Sequence, residues 1–122
     1  MGLSKEDIEQ QLKALEDEQG KHIKEKNLDA LVACYHPHAT LIRKDVKASY
    51  GRDEIRDHLG PFMQIDAEFK STPIYSTATK DGNYLIRRLT YTLGDNSKAN
   101  NVEQIYKKEG DRYLIYHDEY EL

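Results

Sequence analysis

FKSTPIYSTATKDGNYLIRRLTYTLGDNSKANNVEQIYKKEGDRYLIYHDEYEL, residues 69–122, reads as four strands separated by three turns. Phe69–Thr79, Tyr84–Leu93, Asn101–Lys108 and Tyr113–Leu122 are rich in Tyr, Ile, Leu and Thr, which suit a pleated, half-buried surface. Between them stand Asp81-Gly82-Asn83, Gly94-Asp95-Asn96-Ser97 and Glu109-Gly110-Asp111, residues that tolerate positive φ or hydrogen-bond their own backbone. Three successive hairpins make an antiparallel meander.

The residues before the meander have a helical period. Ser4 with Asp7 three residues on resembles a capping box, and Ile8, Leu12, Leu15 and Ile23 then share one stripe over residues 4–26. Gly20 interrupts that helix and predicts a bend. Asn27 caps a second helix with Leu28, Leu31, Val32 and Tyr35 on one face, stopped by Pro37. Ala39–Arg43 reads as a short strand, and Gly51 turns the chain into a third helix bearing Ile55, Leu59, Phe62 and Met63. Helices first and a meander afterwards predict an α+β domain, with three helices on one face of a curved, mainly antiparallel sheet.

At 122 residues the chain predicts a single domain, 1–122. Its formal net charge of −4 argues against nucleic acid as a partner, which calls for clustered Lys and Arg. Its one cysteine, Cys34, excludes an intrachain disulfide. No apolar leader precedes Ser4 and no run has the length of a membrane span, so no membrane partner and a cytoplasmic or nuclear location are expected.

Several segments are similar to one superfamily. NLDALVACYHPHATL (27–41) resembles its second helix and following strand, GRDEIRDHL (51–59) its third helix, and YKKEGDRYLIYHDEY (106–120) its last hairpin. On these, taken in order over nearly the whole chain, the protein resembles the nuclear transport factor 2-like superfamily, of the SnoaL-like and calcium/calmodulin-dependent kinase II association-domain type. The resemblance implies a cone-shaped fold with a pocket at its open end and a homodimer formed through the outer face of the sheet. It does not imply one activity, because the fold hosts isomerases, dehydratases, cyclases, a hydrolase, a transport factor and an association domain.

Candidate site residues follow from helical and strand parity. Gln19 and His22 extend the apolar stripe of the first helix; they line a pocket, or the helix end emerges into solvent beyond Gly20. By analogy with ketosteroid isomerase the last strand turns Tyr116, Asp118 and Tyr120 inward, where Tyr35 also approaches. A carboxyl such as Asp118 inside an apolar cone has a raised pKa unless paired; it acts as an acid or base, or forms an ion pair with a neighbour such as Arg88. Arg87 and Arg88 point to opposite faces. The resemblance to the association-domain strand favours Arg88 inside, whereas Leu85, Leu89 and Leu93 share the face of Arg87, a conflict removed if those leucines form a dimer face. Gln104 and Tyr106 lie on the more apolar face of their strand.

Other polar residues read as structural. His36 and His38 have metal-like spacing but no third ligand in sequence, Cys34 reads as a small core hydrophobe, and His58 as a satisfied core histidine. No metal and no cofactor are expected. Ketosteroid isomerase's catalytic base falls at Arg43–Lys44 and its oxyanion-hole acid near Val102, so that chemistry does not carry over. The expectation is therefore a homodimeric cone binding a small anionic or amphipathic ligand, or an association module. The alternative is a cofactor-free isomerase, dehydratase or hydrolase.

Overall fold

The structure, a computed structural model, describes residues 2–122. The first helix, α1 (Lys5–Lys24), opens on the expected capping box: Ser4 Oγ accepts from the Asp7 amide at 3.0 Å, and Asp7 accepts from the Ser4 amide at 3.2 Å. Each bond satisfies an amide that has no partner within the helix. The helix runs through Gly20 without interruption. Asn27 caps α2 (Leu28–Ala33) by accepting from the Ala30 amide at 3.1 Å. Gly51, at φ +80°, starts α3 (Gly51–Leu59) in a backbone region that L side chains rarely adopt. A 3-10 turn over Gly60–Gln64 follows, with Pro61 near its start.

Six strands form one open sheet: β1 (Tyr35–Arg43), β2 (Lys47–Tyr50), β3 (Phe69–Ala78), β4 (Tyr84–Leu93), β5 (Asn100–Glu109) and β6 (Arg112–Tyr120). Their order is β2-β1-β6-β5-β4-β3, antiparallel except where β1 lies parallel to β6. The meander and the α+β class are as the sequence predicts.

The second helix is shorter than expected. Tyr35 belongs to β1, and Pro37 lies in that strand rather than ending a helix. Between Tyr35 and Thr40 the pairing with β6 shifts register, and this irregular stretch accommodates a residue that lacks an amide proton. The short strand β2 was not legible in Lys47–Tyr50, which carries no apolar alternation.

The core lies between the helices and the inner face of the sheet. Ile8 and Leu12 of α1, Leu31 and Val32 of α2 and Ile55 and Leu59 of α3 pack over Leu41, Leu85, Leu89, Tyr106 and Ile115. Leu85 and Leu89 are therefore interior, fully or nearly so, and cannot form a dimer face as the conflict over Arg88 had suggested.

Candidate functional site

β5 turns Val102, Gln104 and Tyr106 inward by simple alternation, and all three are buried. β4 turns Leu85, Arg87, Leu89 and Tyr91 to the same side, since Leu85, Arg87 and Leu89 are the register partners of Tyr106, Gln104 and Val102. β6 breaks its alternation. Its register with β5 shifts between Ile105 and Tyr106, leaving Tyr116 as an extra residue between Ile115 and His117. Before this bulge Tyr113 and Ile115 face the core; after it Asp118 and Tyr120 do.

Three side chains form a relay toward Asp118, and a fourth donates to it directly. Gln19 Nε2 donates to the Tyr106 hydroxyl at 2.9 Å, and that hydroxyl donates to Gln104 Oε1 at 3.0 Å. The Gln104 amide in turn hydrogen-bonds Asp118, and the Tyr35 hydroxyl donates to Asp118 Oδ2 at 2.9 Å. Burial raises the Asp118 carboxyl above its usual range, while Tyr35, Gln104, the Arg87 charge and His117 pull it back down. Tyr35 and Tyr106 are raised chiefly by burial and so remain protonated donors.

The network reaches the surface at Arg87. Its Nε donates to Gln104 Oε1 at 2.8 Å, its Nη1 lies 3.3 Å from Glu16 Oε1, and its guanidinium stands 5.9 Å from the Tyr106 ring centroid. Only 12% of its side chain is exposed. Glu16 also accepts from Ser71 Oγ at 3.0 Å, so it bridges α1 to β3 and β4. On one side of this bridge a cleft of about 830 Å³ opens between α1, the Ile65–Phe69 segment and β3–β5; Gln19, Arg87, Leu89, Tyr91, Val102 and Gln104 are among its walls. On the other side a second cleft of about 600 Å³ runs between the first half of α1 and β3–β4.

Of the residues singled out in the sequence, Gln19 and Gln104 line the larger cleft. Tyr106, Asp118 and Tyr35 stand behind them in the hydrogen-bonded network. Tyr120 is inward but belongs to another cluster, in which its hydroxyl meets His58 Nε2 at 2.7 Å and His58 Nδ1 meets Ser49 at 2.8 Å. His58 is thus a satisfied core histidine, held neutral as burial and the charges of Lys47 and Arg43 lower its pKa to about 4.

Three placements differ from expectation. Tyr116 lies on the outer face because of the bulge, with its ring 5.2 Å from His36, 6.3 Å from Tyr84 and 5.3 Å from Lys107 Nζ. Arg88 is also outside, 65% exposed and paired with Glu103 at 2.8 Å, because β4 alternates regularly and the buried Leu85 and Leu89 fix Arg87 inside. His22 turns from the cleft to the α1–α2 junction, where its Nε2 lies 3.4 Å from Glu18. Glu16 and Ser71 were missed, since a partner 55 positions away gives neither a local signature. Arg43 is the register partner of Tyr120 and shares its inward side; its Nε is buried without a hydrogen-bond partner among the described residues.

No protein-family model matches the chain, and no curated protein matches it by sequence. Solved structures do match. A Thiobacillus denitrificans protein assigned as a calcium/calmodulin-dependent protein kinase type II association domain aligns with TM-score 0.76 and 14% identity, over 89% of this chain and 92% of its own. A nuclear transport factor 2-like protein of unknown function from Shewanella oneidensis aligns with TM-score 0.76 and 18% identity, over 93% and 98%. A protein of the same fold family from Streptomyces avermitilis, assigned as a dehydratase, aligns with TM-score 0.72 and 8% identity, over 97% of each chain. What is shared at these identities is the fold, and this chain has the nuclear transport factor 2-like fold.

Proposed function

Starting from that fold, we propose that the protein binds a small organic anion with an apolar body in the larger cleft. The observation that carries this reading is Arg87, a cation withdrawn from solvent into the wall of a cleft whose neighbouring surface is Leu89, Tyr91 and Val102. A guanidinium offers a fixed fork of donors suited to a carboxylate. Gln19 and Gln104 supply neutral polar contacts beside it. The wall around Arg87 thus sets convergent polar groups against apolar surface, as small-molecule pockets do, and charged side chains of both signs, Lys24, Lys26, Asp66 and Glu68 among them, rim the cleft.

A cofactor-free isomerase, dehydratase or hydrolase is the second reading, and the raised Asp118 carboxyl favours it. Against it, Asp118 is held by Tyr35 and Gln104, behind the residues that line the cleft. A general base must come within about 3 Å of the proton it takes.

The experiment is calorimetric titration with benzoate, phenylacetate and octanoate, each beside its neutral amide. The acids are expected to bind and the amides to bind more weakly. Arg87→Met should weaken the acids by at least about 10-fold, the loss of one charge-assisted contact. Equal binding of acid and amide would overturn the anion reading. Turnover of a bound acid, abolished by Asp118→Asn, would replace it with the enzymatic one.

The association role rests on a different surface. Tyr84, Ile86, Ile105 and Tyr116 lie half-buried on the outer face of β4–β6, which none of the described helices covers. A homodimer through this face would remove that surface from water. Equilibrium sedimentation at micromolar concentration should give a dimer, and Ile86→Glu a monomer; a wild-type monomer would remove the dimer from the proposal.

A further inference from the structure

Glu18 and His22 stand four residues apart on α1, so they occupy neighbouring turns of one helical face. Neither lines the larger cleft. Cys34, the C-terminal cap of α2, meets them across the junction of the two helices. Their meeting point is a single oxygen: Glu18 Oε2 lies 3.4 Å from His22 Nε2, 3.6 Å from Cys34 Sγ and 3.3 Å from Arg112 Nη2. The two nitrogen distances exceed the usual range of about 2.7–3.2 Å for N–H···O bonds. The His22 and Cys34 distances, unlike that of Arg112, have instead the dimensions of a coordination shell. Zinc bonds of about 2.0–2.1 Å to nitrogen and oxygen and about 2.3 Å to sulfur, arranged tetrahedrally, set N···O at about 3.4 Å and S···O at about 3.6 Å. One donor atom from each of the three residues lies within 4.8 Å of the others. His22 Nδ1 is buried with no hydrogen-bond partner among the described residues, so none of them commits the ring to the tautomer that would donate to Glu18.

We propose that Glu18, His22 and Cys34 form a site for Zn²⁺, with water completing a tetrahedral shell. The donor set of thiolate, imidazole and carboxylate selects zinc over magnesium and calcium, which take oxygen ligands. On binding, the ion forms bonds to Oε2, Nε2 and Sγ, and the thiol proton leaves to solvent. Arg112, half-exposed, moves off Glu18 as the ion takes over its charge. The site clamps α1 to α2 and does not depend on what the cleft holds.

The test titrates the untagged chain with Co²⁺ as a spectroscopic probe and then with Zn²⁺. The expected result is one equivalent bound, with a thiolate-to-cobalt charge-transfer band in the near ultraviolet and tetrahedral bands in the visible, all lost on adding Zn²⁺. Cys34→Ser should abolish the charge-transfer band. His22→Gln should weaken Zn²⁺ binding at least about 10-fold, and Arg112→Ala should strengthen it by removing a competing cation. The wild-type spectrum and the Arg112→Ala change carry the test should Cys34→Ser fail to fold. Absence of saturable one-equivalent binding, a cobalt spectrum without the thiolate band, or unchanged affinity in His22→Gln would overturn the proposal.

Discussion

Asp118 and Tyr120 are inward neighbours on β6, two residues apart, yet they belong to buried clusters of different kinds. Tyr120 joins His58 and Ser49 in a short chain of hydrogen bonds beside Phe62, and both ring nitrogens of His58 find partners inside the core. Asp118 anchors a longer chain that runs through Gln104 and Tyr106 to Gln19, with Arg87 attached, and those outer members form a cleft wall. Both clusters are buried, and both hold a titratable group displaced by desolvation. What separates a candidate site from core is where the chain of hydrogen bonds ends. A network closed on itself holds the fold; one that ends on a cavity can exchange a protein partner for a ligand.

The largest effect that sharpens this contrast is on Tyr35. Tyr35→Phe leaves the Asp118 carboxylate one donor short in the interior, a loss of about 1–3 kcal/mol. Urea unfolding at neutral and acid pH checks it. The loss should shrink in acid, because a protonated Asp118 no longer needs the donor. A pH-independent loss would mean that Asp118 is neutral throughout and that the network does not serve a charge.

The two clusters also oppose each other in their pH dependence. Between pH 6.5 and about 4 the unfolded His58 carries a proton that the folded one does not. Its contribution to stability is therefore complete above 6.5 and is lost as the pH falls. The folded Asp118 keeps its proton above the ordinary carboxylate value of 3.8, so stability falls as the pH rises through that window. His58→Gln should flatten the acid loss of stability, and Asp118→Asn should steepen it. Urea midpoints across pH 4.5–7.5 give both slopes. Parallel curves for all three proteins would break the distinction.

The contrast also marks how far the sequence could be read. Helical period, capping residues and turn chemistry located α1, α3 and the meander, because those signals are local. The inward parity of β5 was legible in Val102, Gln104 and Tyr106 for the same reason. Tyr116 was not, because a bulge is a register event between two strands and leaves no mark on the alternation of one. Nor was the Glu16–Arg87–Ser71 bridge, whose members meet only when α1 packs over the sheet. His22 followed the helical stripe correctly, yet the stripe turns with the helix, and near its end faces α2 instead of the cleft.

The smallest expected effect concerns Arg88, and it tests the face assignment from the other side. Arg87 and Arg88 are adjacent and chemically identical, and each pairs with a glutamate. Burial is what distinguishes those two pairs: 12% of the Arg87 side chain is exposed against 65% for Arg88. An exposed ion pair is screened by water and salt and contributes at most about 1 kcal/mol, frequently less. Arg88→Ala should therefore shift the urea midpoint little and leave carboxylate titrations unchanged. Arg87→Ala should leave Glu16 without its cation, remove a contact to the Tyr106 ring and abolish acid binding. Raising the salt concentration supplies an independent readout, since it should erode the residual effect of Arg88→Ala and spare most of that of Arg87→Ala. If Arg88→Ala instead weakens acid binding as strongly as Arg87→Ala, then anions bind on the outer face of the sheet, and the cleft loses its claim as the site.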